Sequence, residues 1–349
     1  MGRGVADETV NKIVLKSVNW VGDTIMTMPA IRAVRERYPA ARITAIAPPW
    51  VAALLKINPD VDDVWEEDAR KDWRAFARLA RRIRAERFDL GISFPNSFAS
   101  ALLLWAGGVR RRVGYARDGR GLLLTDRVRV RPALLRTHEV HYHLHLLSAL
   151  GGVPESPPPL TLQEDEQARA NVDRVLEAEG ITPQTPLIGL NACAFYGSAK
   201  RWPAQRFAAV GQRLTEALQG VALLACTLPE RPMAQSVCNV IGARARNLAG
   251  RFNLVELVSV IRRVKIFVTN DTGAMHIAAA LGVRTVAIFG PTNWVKTAPW
   301  SENAIVMRHA VPCAPCTLRH CPIDHRCMER VQVADVIAAI RQRWPELKV

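Results

Sequence analysis

Residues 264–292 read VKIFVTNDTGAMHIAAALGVRTVAIFGPT, an order of elements that points to one kind of folding unit. The run IFVT is β-branched and aromatic and reads as a buried strand, and NDTG supplies the residue types that open a helix. From Ala274 the sequence AMHIAAAL is built of helix formers small enough to press against a sheet, Gly282 closes that helix, and TVAIFG is a second strand. Strand, loop, short helix, strand is a parallel crossover, whose ligands bind beyond the carboxyl ends of the strands. Backbone N–H groups and the positive end of the helix dipole at Thr272 and Gly273 suit a diphosphate there. At this level Asp271 has two readings, helix N-cap and ligand contact, and the residues alone favour neither.

The same alternation runs along the whole chain and argues for a doubly wound α/β architecture. KIVLKSV is the first strand, followed by a loop and an amphipathic helix in GDTIMTMPAIRAVRERYP that ends before Pro39. ARITAIAPP, the end of VAALLKINPDVDDVWEED and FDLGISFPN continue the strands, with a basic helix over 70–87. GGVPESPPPL interrupts the series, because three consecutive prolines stop any regular element. A helix over 164–180 then leads into PLIGLNACA, VALLACT and the 264–292 unit. At 349 residues two domains are expected, 1–160 and 161–349, as Rossmann-like halves facing each other across a cleft.

Composition enters through charge. Lys and Arg number 47 against 32 Asp and Glu, a net +15, and residues 70–140 alone hold 17 basic against 6 acidic residues. A concentrated basic surface, including Arg110, Arg111 and Arg112, implies an anionic partner or else a solvated arginine-rich face. Nucleic acid is the lesser expectation, since no recognition motif and few aromatics accompany the arginines. No apolar run reaches the roughly 18 residues of a membrane span, and MGRGVADETVNK lacks an apolar leader segment, so the cytosol is the expected compartment.

Four of the seven cysteines cluster in CAPCTLRHCPIDHRC. Cys313, Cys316, Cys321 and Cys327, with His320 and His325 between them, suggest a structural zinc site, although only the first pair forms a CxxC knuckle. A compact loop of four thiols without metal is the competing reading. His138, His141 and His145 share a helical spacing and are read as an ordinary surface or domain-interface helix.

Three further positions carry chemistry. Asp23, in NWVGDTIMTMPAI, stands at a strand's carboxyl end, where a carboxylate can serve as general base, or simply caps the helix. The loop NACAFYGSAKRWP offers Gly197, Ser198, Lys200 and Arg201, with glycine allowing close backbone approach and Lys200 a compact cation for a phosphate, or it is a basic surface loop whose Trp202 and Pro203 start the next helix. Glu230, in CTLPER, lies where an acidic side chain often binds a ribose diol, although taken alone it reads first as a solvated loop residue. No Gly-rich dinucleotide fingerprint or Walker loop occurs.

In order, GDTIMTMPAIRAVRERYP, GSAKRWP and TNDTGAMHIAAALGVRTVAIFGPT resemble the bacterial ADP-heptose:lipopolysaccharide heptosyltransferases, glycosyltransferase family 9. The cysteine cluster is similar to a segment of members of the heptosyltransferase II type. The resemblance implies a GT-B fold, with acceptor bound by the N-terminal domain and donor by the C-terminal one. It further implies transfer of L-glycero-D-manno-heptose from ADP-heptose to the lipopolysaccharide inner core, with inversion and without a catalytic cofactor. By resemblance Asp23 is the base, Lys200 lies beside the donor phosphates and Asp271 near the heptose hydroxyls. Ser198, Thr272, Gly273 and His276 fall in the donor motifs, with Glu230 at the ribose. The basic stretch would then meet phosphorylated lipid A and core sugars at the inner face of the inner membrane, as a peripheral protein. The first core heptose transfer and transfer to a protein acceptor remain open alternatives, with a basic nucleic-acid-binding protein as the alternative of another class.

Overall fold

The computed structural model describes residues 10–67, 72–194 and 196–349 and divides into two compact units, Met1–Thr161 and Leu162–Val349. Arg70 and Phe195 lie outside the described residues, as does the stretch before Val10. The first unit contains β1 (Lys12–Lys16), β2 (Arg42–Ala47), β3 (Asp63–Glu66), β4 (Leu90–Ser93), β5 (Arg111–Tyr115) and β6 (Asp126–Val128). The second contains β7 (Leu187–Asn191), β8 (Val221–Leu224), β9 (Ala245–Asn247), β10 (Val264–Asn270), β11 (Thr285–Ile288) and β12 (Ala304–Met307).

Both sheets are parallel throughout, in the orders β3-β2-β1-β4-β5-β6 and β12-β11-β10-β7-β8-β9. Read from β9, the second order is the same winding as the first. Each sheet therefore has its switch point between the first and fourth strands of its unit: β1 and β4 in one, β7 and β10 in the other. Helices cover both faces, which is why the central strands are apolar without alternation; Ile13, Val14, Ile188 and Val268 are all fully buried.

One helix departs from expectation. Val21–Arg37 begins directly after the β1 loop, and its residues from Thr24 to Ile31 are buried without a break. The helix is thus enclosed on more than one side rather than amphipathic, because the Glu139–His145 helix packs on it. The histidines of that second helix do not converge on a metal. His138 is the N-cap, its Nδ1 accepting from the Val140 N–H at 3.2 Å, while His141 is exposed and His145 Nδ1 lies 3.3 Å from the Tyr115 hydroxyl.

Between them, His143 is buried against the edges of Phe94 and Tyr142. Burial, with His138 nearby, pushes its pKa down to about 3. The folded state holds the ring neutral while the unfolded chain protonates near pH 6.5, so stability falls as pH drops below that value. Each pH unit costs about 1.4 kcal/mol from this residue. Urea titrations of the wild type between pH 6.5 and 5 are expected to lose about 2 kcal/mol that His143→Gln does not lose. Equal pH slopes in the two proteins would contradict this account.

GGVPESPPPL carries no helix or strand, and the helix that follows runs Glu166–Ala178, capped by Asp165 accepting from the Ala168 N–H at 2.7 Å. Among the described residues no helix is long and apolar enough to cross a membrane.

Candidate functional site

In the second unit the carboxyl ends of β7 and β10 are tied together by their terminal asparagines. Asn270 accepts from the Trp202 N–H at 3.0 Å and donates to the carbonyl of Ala192 at 2.9 Å. Asn191 donates to Thr269 Oγ1 at 3.1 Å and Thr272 Oγ1 at 2.9 Å. These bonds fix two loops, 192–202 and 271–273, side by side at the switch point.

Asp271 is not the cap of the Gly273–Ala280 helix. Thr272 occupies the N-cap position, and no side chain caps the helix, because the Thr272 hydroxyl is drawn to Asn191. The Met275 N–H donates to the Thr272 carbonyl at 3.1 Å, and the N–H groups of Gly273 and Ala274 ahead of it stand at the positive end of the dipole, where an anion is favoured. Asp271 is instead buried, 5% exposed, and its Oδ2 accepts from Lys200 Nζ at 2.6 Å and Thr292 Oγ1 at 2.7 Å. Lys200 Nζ also lies 3.4 Å from the Asp271 carbonyl and 5.0 Å from the Tyr196 ring centroid. The two motifs that the sequence offers separately thus meet in one buried ion pair, with Thr292 as a third member. Lys200 is held in one place at the mouth of the helix, where a compact cation and a helix N-terminus can share a diphosphate.

The first unit repeats this placement with different chemistry. Asp23 stands in the first turn of Val21–Arg37, whose N-cap is Trp20, at the carboxyl end of β1; it is half-buried. Trp50 Nε1 donates to the Asn19 carbonyl at 2.8 Å, which leaves the rings of Trp20 and Trp50 about half exposed (52% and 49%) at the same edge. The loop after β4 is held by Arg120. Its fully buried guanidinium donates to the carbonyls of Tyr115, Pro95 and Ser97 and lies 3.2 Å from the Ser100 hydroxyl. Arg110, Arg111 and Arg112 lie at the other end of this unit's sheet, where β5 begins. Arg111 pairs with Asp126 at 2.9 Å, and Arg112 donates to the carbonyls of Leu123 and Val109. The structure does not bring this run together with Asp23.

Residues 76–326 match the model of glycosyltransferase family 9 (heptosyltransferase). The chain belongs to glycosyltransferase family 9. Over 317 residues it is 31% identical to the lipopolysaccharide heptosyltransferase 2 of Salmonella typhimurium, covering 85% of this chain and 88% of that protein. The heptosyltransferase 2 of Escherichia coli is 30% identical over 313 residues with the same coverage. The structure of Escherichia coli ADP-heptose lps heptosyltransferase II aligns with a TM-score of 0.81 at 26% identity, over 97% of this chain and 100% of that one. The fold is therefore GT-B, and the chain is an enzyme, a glycosyltransferase.

In this family 9 enzyme the cysteine segment, readable from sequence as a zinc site or as a loop of thiols without metal, packs on the donor loops. No three of Cys313, Cys316, Cys321 and Cys327 bring ligand atoms within 4.8 Å of one another; among the described residues the one group that does is Cys193, Cys226 and Glu230. The segment instead braces the Lys200 loop. Arg319 O accepts from the Ala199 N–H at 3.0 Å, and Thr317 O accepts from the Tyr196 hydroxyl at 3.0 Å. Ser198 Oγ lies 3.0 Å from His320 Nδ1, and His325 Nε2 lies 2.7 Å from the Ala199 carbonyl. The Thr317 N–H reaches the Pro291 carbonyl at 2.8 Å, next to Thr292. Ser198 is thus already engaged, and Cys327 is buried, its sulfur 3.0 Å from where a Cβ on Gly290 would lie.

Gly197 is the tightest point of this brace, since a Cβ there would sit 2.2 Å from the Arg319 carbonyl oxygen. Gly197→Ala is expected to cost about 1–3 kcal/mol of stability and to slow transfer by displacing Lys200. Denaturant midpoints and initial rates check this; a variant matching the wild type in both would remove the brace from the account.

The remaining donor-motif residues divide. His276 is buried to the same degree as Asp271, 4% exposed. Glu230 Oε2 accepts from the Thr227 N–H at 3.2 Å and the Thr227 hydroxyl at 2.6 Å in a capping box, which fixes the carboxylate and leaves its other oxygen to serve a ligand. Sequence alone does not single out Thr292 or Asn191, although Thr292 follows β11 in GPT and Asn191 ends β7. GPT directly after a strand was the signal for Thr292.

Proposed function

We propose that this enzyme transfers L-glycero-D-manno-heptose from ADP-heptose to the heptose of the lipopolysaccharide inner core, with inversion, as a heptosyltransferase of type 2. The Lys200–Asp271–Thr292 cluster beside an uncapped helix N-terminus carries the reading. Its ammonium, held by Asp271, and the N–H groups at the start of the helix are the donors that a departing nucleoside diphosphate requires. In this reading the second unit, 161–349, binds the donor and the first, 1–160, the acceptor.

Asp23 accepts the proton of an acceptor heptose hydroxyl as that oxygen attacks the anomeric carbon from the face opposite ADP. The new C–O bond forms as the bond to the diphosphate breaks, and the electron pair leaves with ADP. Thr272 and Gly273 backbone N–H groups and Lys200 take up the charge, Asp271 orients Lys200 and faces the heptose, and Glu230 accepts from the ribose diol. Purified enzyme with ADP-heptose and truncated lipopolysaccharides bearing zero, one or two heptoses tests the acceptor. Transfer to the one-heptose acceptor is expected; transfer to the heptose-free acceptor instead would assign the first core transfer.

A cytoplasmic, peripheral membrane location belongs to the same reading. The Trp73–Glu86 helix exposes Arg74, Arg78 and Arg81 beside Trp73, which is 74% exposed, a combination suited to an anionic bilayer surface. At about 1 kcal/mol per arginine, replacing these three by glutamate is expected to weaken binding to phosphatidylglycerol vesicles by at least about a hundredfold. Unchanged cosedimentation would rule out this face as the membrane contact.

A further inference from the structure

Beside the donor loops, Cys193, Cys226 and Glu230 bring two sulfurs and a carboxylate oxygen within 4.8 Å of one another. Cys193 follows β7 and Cys226 follows β8, so both stand at the carboxyl edge of the second sheet, and Glu230 closes the group from the turn after β8. Cys193 is 3% exposed, with the Cys226 sulfur and a Glu230 carboxylate oxygen beside it. Three groups that each become anionic on losing a proton thus share one pocket, an arrangement that is unfavourable until a cation enters.

Two neighbours support such an ion. Thr227 holds Glu230 Oε2 through both its N–H and its hydroxyl, the kind of outer bonding that orients a ligand carboxylate. Arg201 places its charge near Cys193, and its Nε is buried without a hydrogen-bond partner. Two thiolates, one carboxylate, a divalent ion and this guanidinium sum to zero charge, so the occupied pocket carries no uncompensated charge into the protein.

We propose that Cys193, Cys226 and Glu230 form a site for a thiophilic divalent cation of the zinc class, three protein ligands with one position open, whose occupancy excludes the nucleotide ribose. Soft sulfur ligands select such an ion over magnesium or calcium. The exclusion rests on the reading of Glu230 as the ribose contact: with Oε2 committed to Thr227, the remaining oxygen serves the metal or the diol. Zinc is accordingly an inhibitor competitive with the nucleotide donor and is not needed for transfer.

Cobalt(II) titration of the reduced full-length enzyme tests this through the thiolate-to-cobalt charge-transfer band. One equivalent is expected to give the band, zinc to displace it, and Cys226→Ser to weaken binding beyond the roughly 10–100-fold loss typical of an outer-shell change. The triple variant Cys313→Ser/Cys316→Ser/Cys321→Ser is expected to keep the band. Absence of the band, or a band that survives Cys226→Ser and vanishes in the triple variant, overturns the site. Adding ADP separates the two claims: loss of the band supports exclusion, whereas a band indifferent to saturating ADP overturns exclusion and the ribose role of Glu230 while leaving the metal site standing.

Discussion

Asp23→Asn is expected to slow heptose transfer by about 10²–10⁴-fold, the range that a positioned general base contributes. The substitution is isosteric, so the packed helix Val21–Arg37 keeps its neighbours while the charge is lost. That charge sits in the first turn of the helix, where an anionic side chain is favoured by the dipole, and its removal costs about 0.3–1 kcal/mol of stability. The rate should therefore collapse in a protein that melts within a few degrees of the wild type. Initial rates with saturating ADP-heptose and acceptor, read beside a thermal melt, check both halves. A rate within a few-fold of wild type would mean that another group takes the proton.

Lys200→Met is expected to damage both rate and stability, and a second substitution separates the two. Its partner Asp271 has a side chain 6% exposed, and Lys200 itself is 14% exposed, so losing the ammonium strands a buried carboxylate at a cost of about 3–5 kcal/mol. Loss of one preorganised charge at the leaving group costs about 10²–10³-fold in kcat. In Lys200→Met/Asp271→Asn no buried charge is left alone, and most of the lost stability should return. The rate should not return, because the cation is still missing. Recovery of the rate along with the stability would make the pair structural only.

These contrasts mark what the sequence could and could not convey. The apolar runs KIVLKSV, PLIGLNACA and IFVT announce buried parallel strands because a strand covered on both faces must be apolar throughout. They also place Asp23, Lys200 and Asp271 just beyond the carboxyl ends of strands. Periodicity carries no information on which loops become neighbours; that follows from the strand order, which sets β7 beside β10 and so brings Lys200 to Asp271, 71 residues on. Helix caps misled in one respect, since Asp271 and Thr272 are both good caps and the Asn191 bond to Thr272 decides the matter from another strand. The spacing of the cysteine cluster leaves a metal site and a metal-free loop both open, and it carries no sign that the thiols of Cys193 and Cys226, 33 positions apart in sequence, are brought together by the pairing of β7 with β8. Arg111 and Arg112 add to the basic count, but Asp126 and backbone carbonyls take their charge inside the first unit.

The central claim is that the switch point of the second unit holds the diphosphate of an ADP-sugar while the first unit supplies the base. Calorimetric binding of ADP-heptose to the wild type, Asp23→Asn and Lys200→Met/Asp271→Asn tests it most directly. The account predicts wild-type affinity for Asp23→Asn and at least about tenfold weaker binding, some 1.4 kcal/mol, for the double variant. Undiminished affinity in the double variant, or loss of affinity in Asp23→Asn alone, would contradict it.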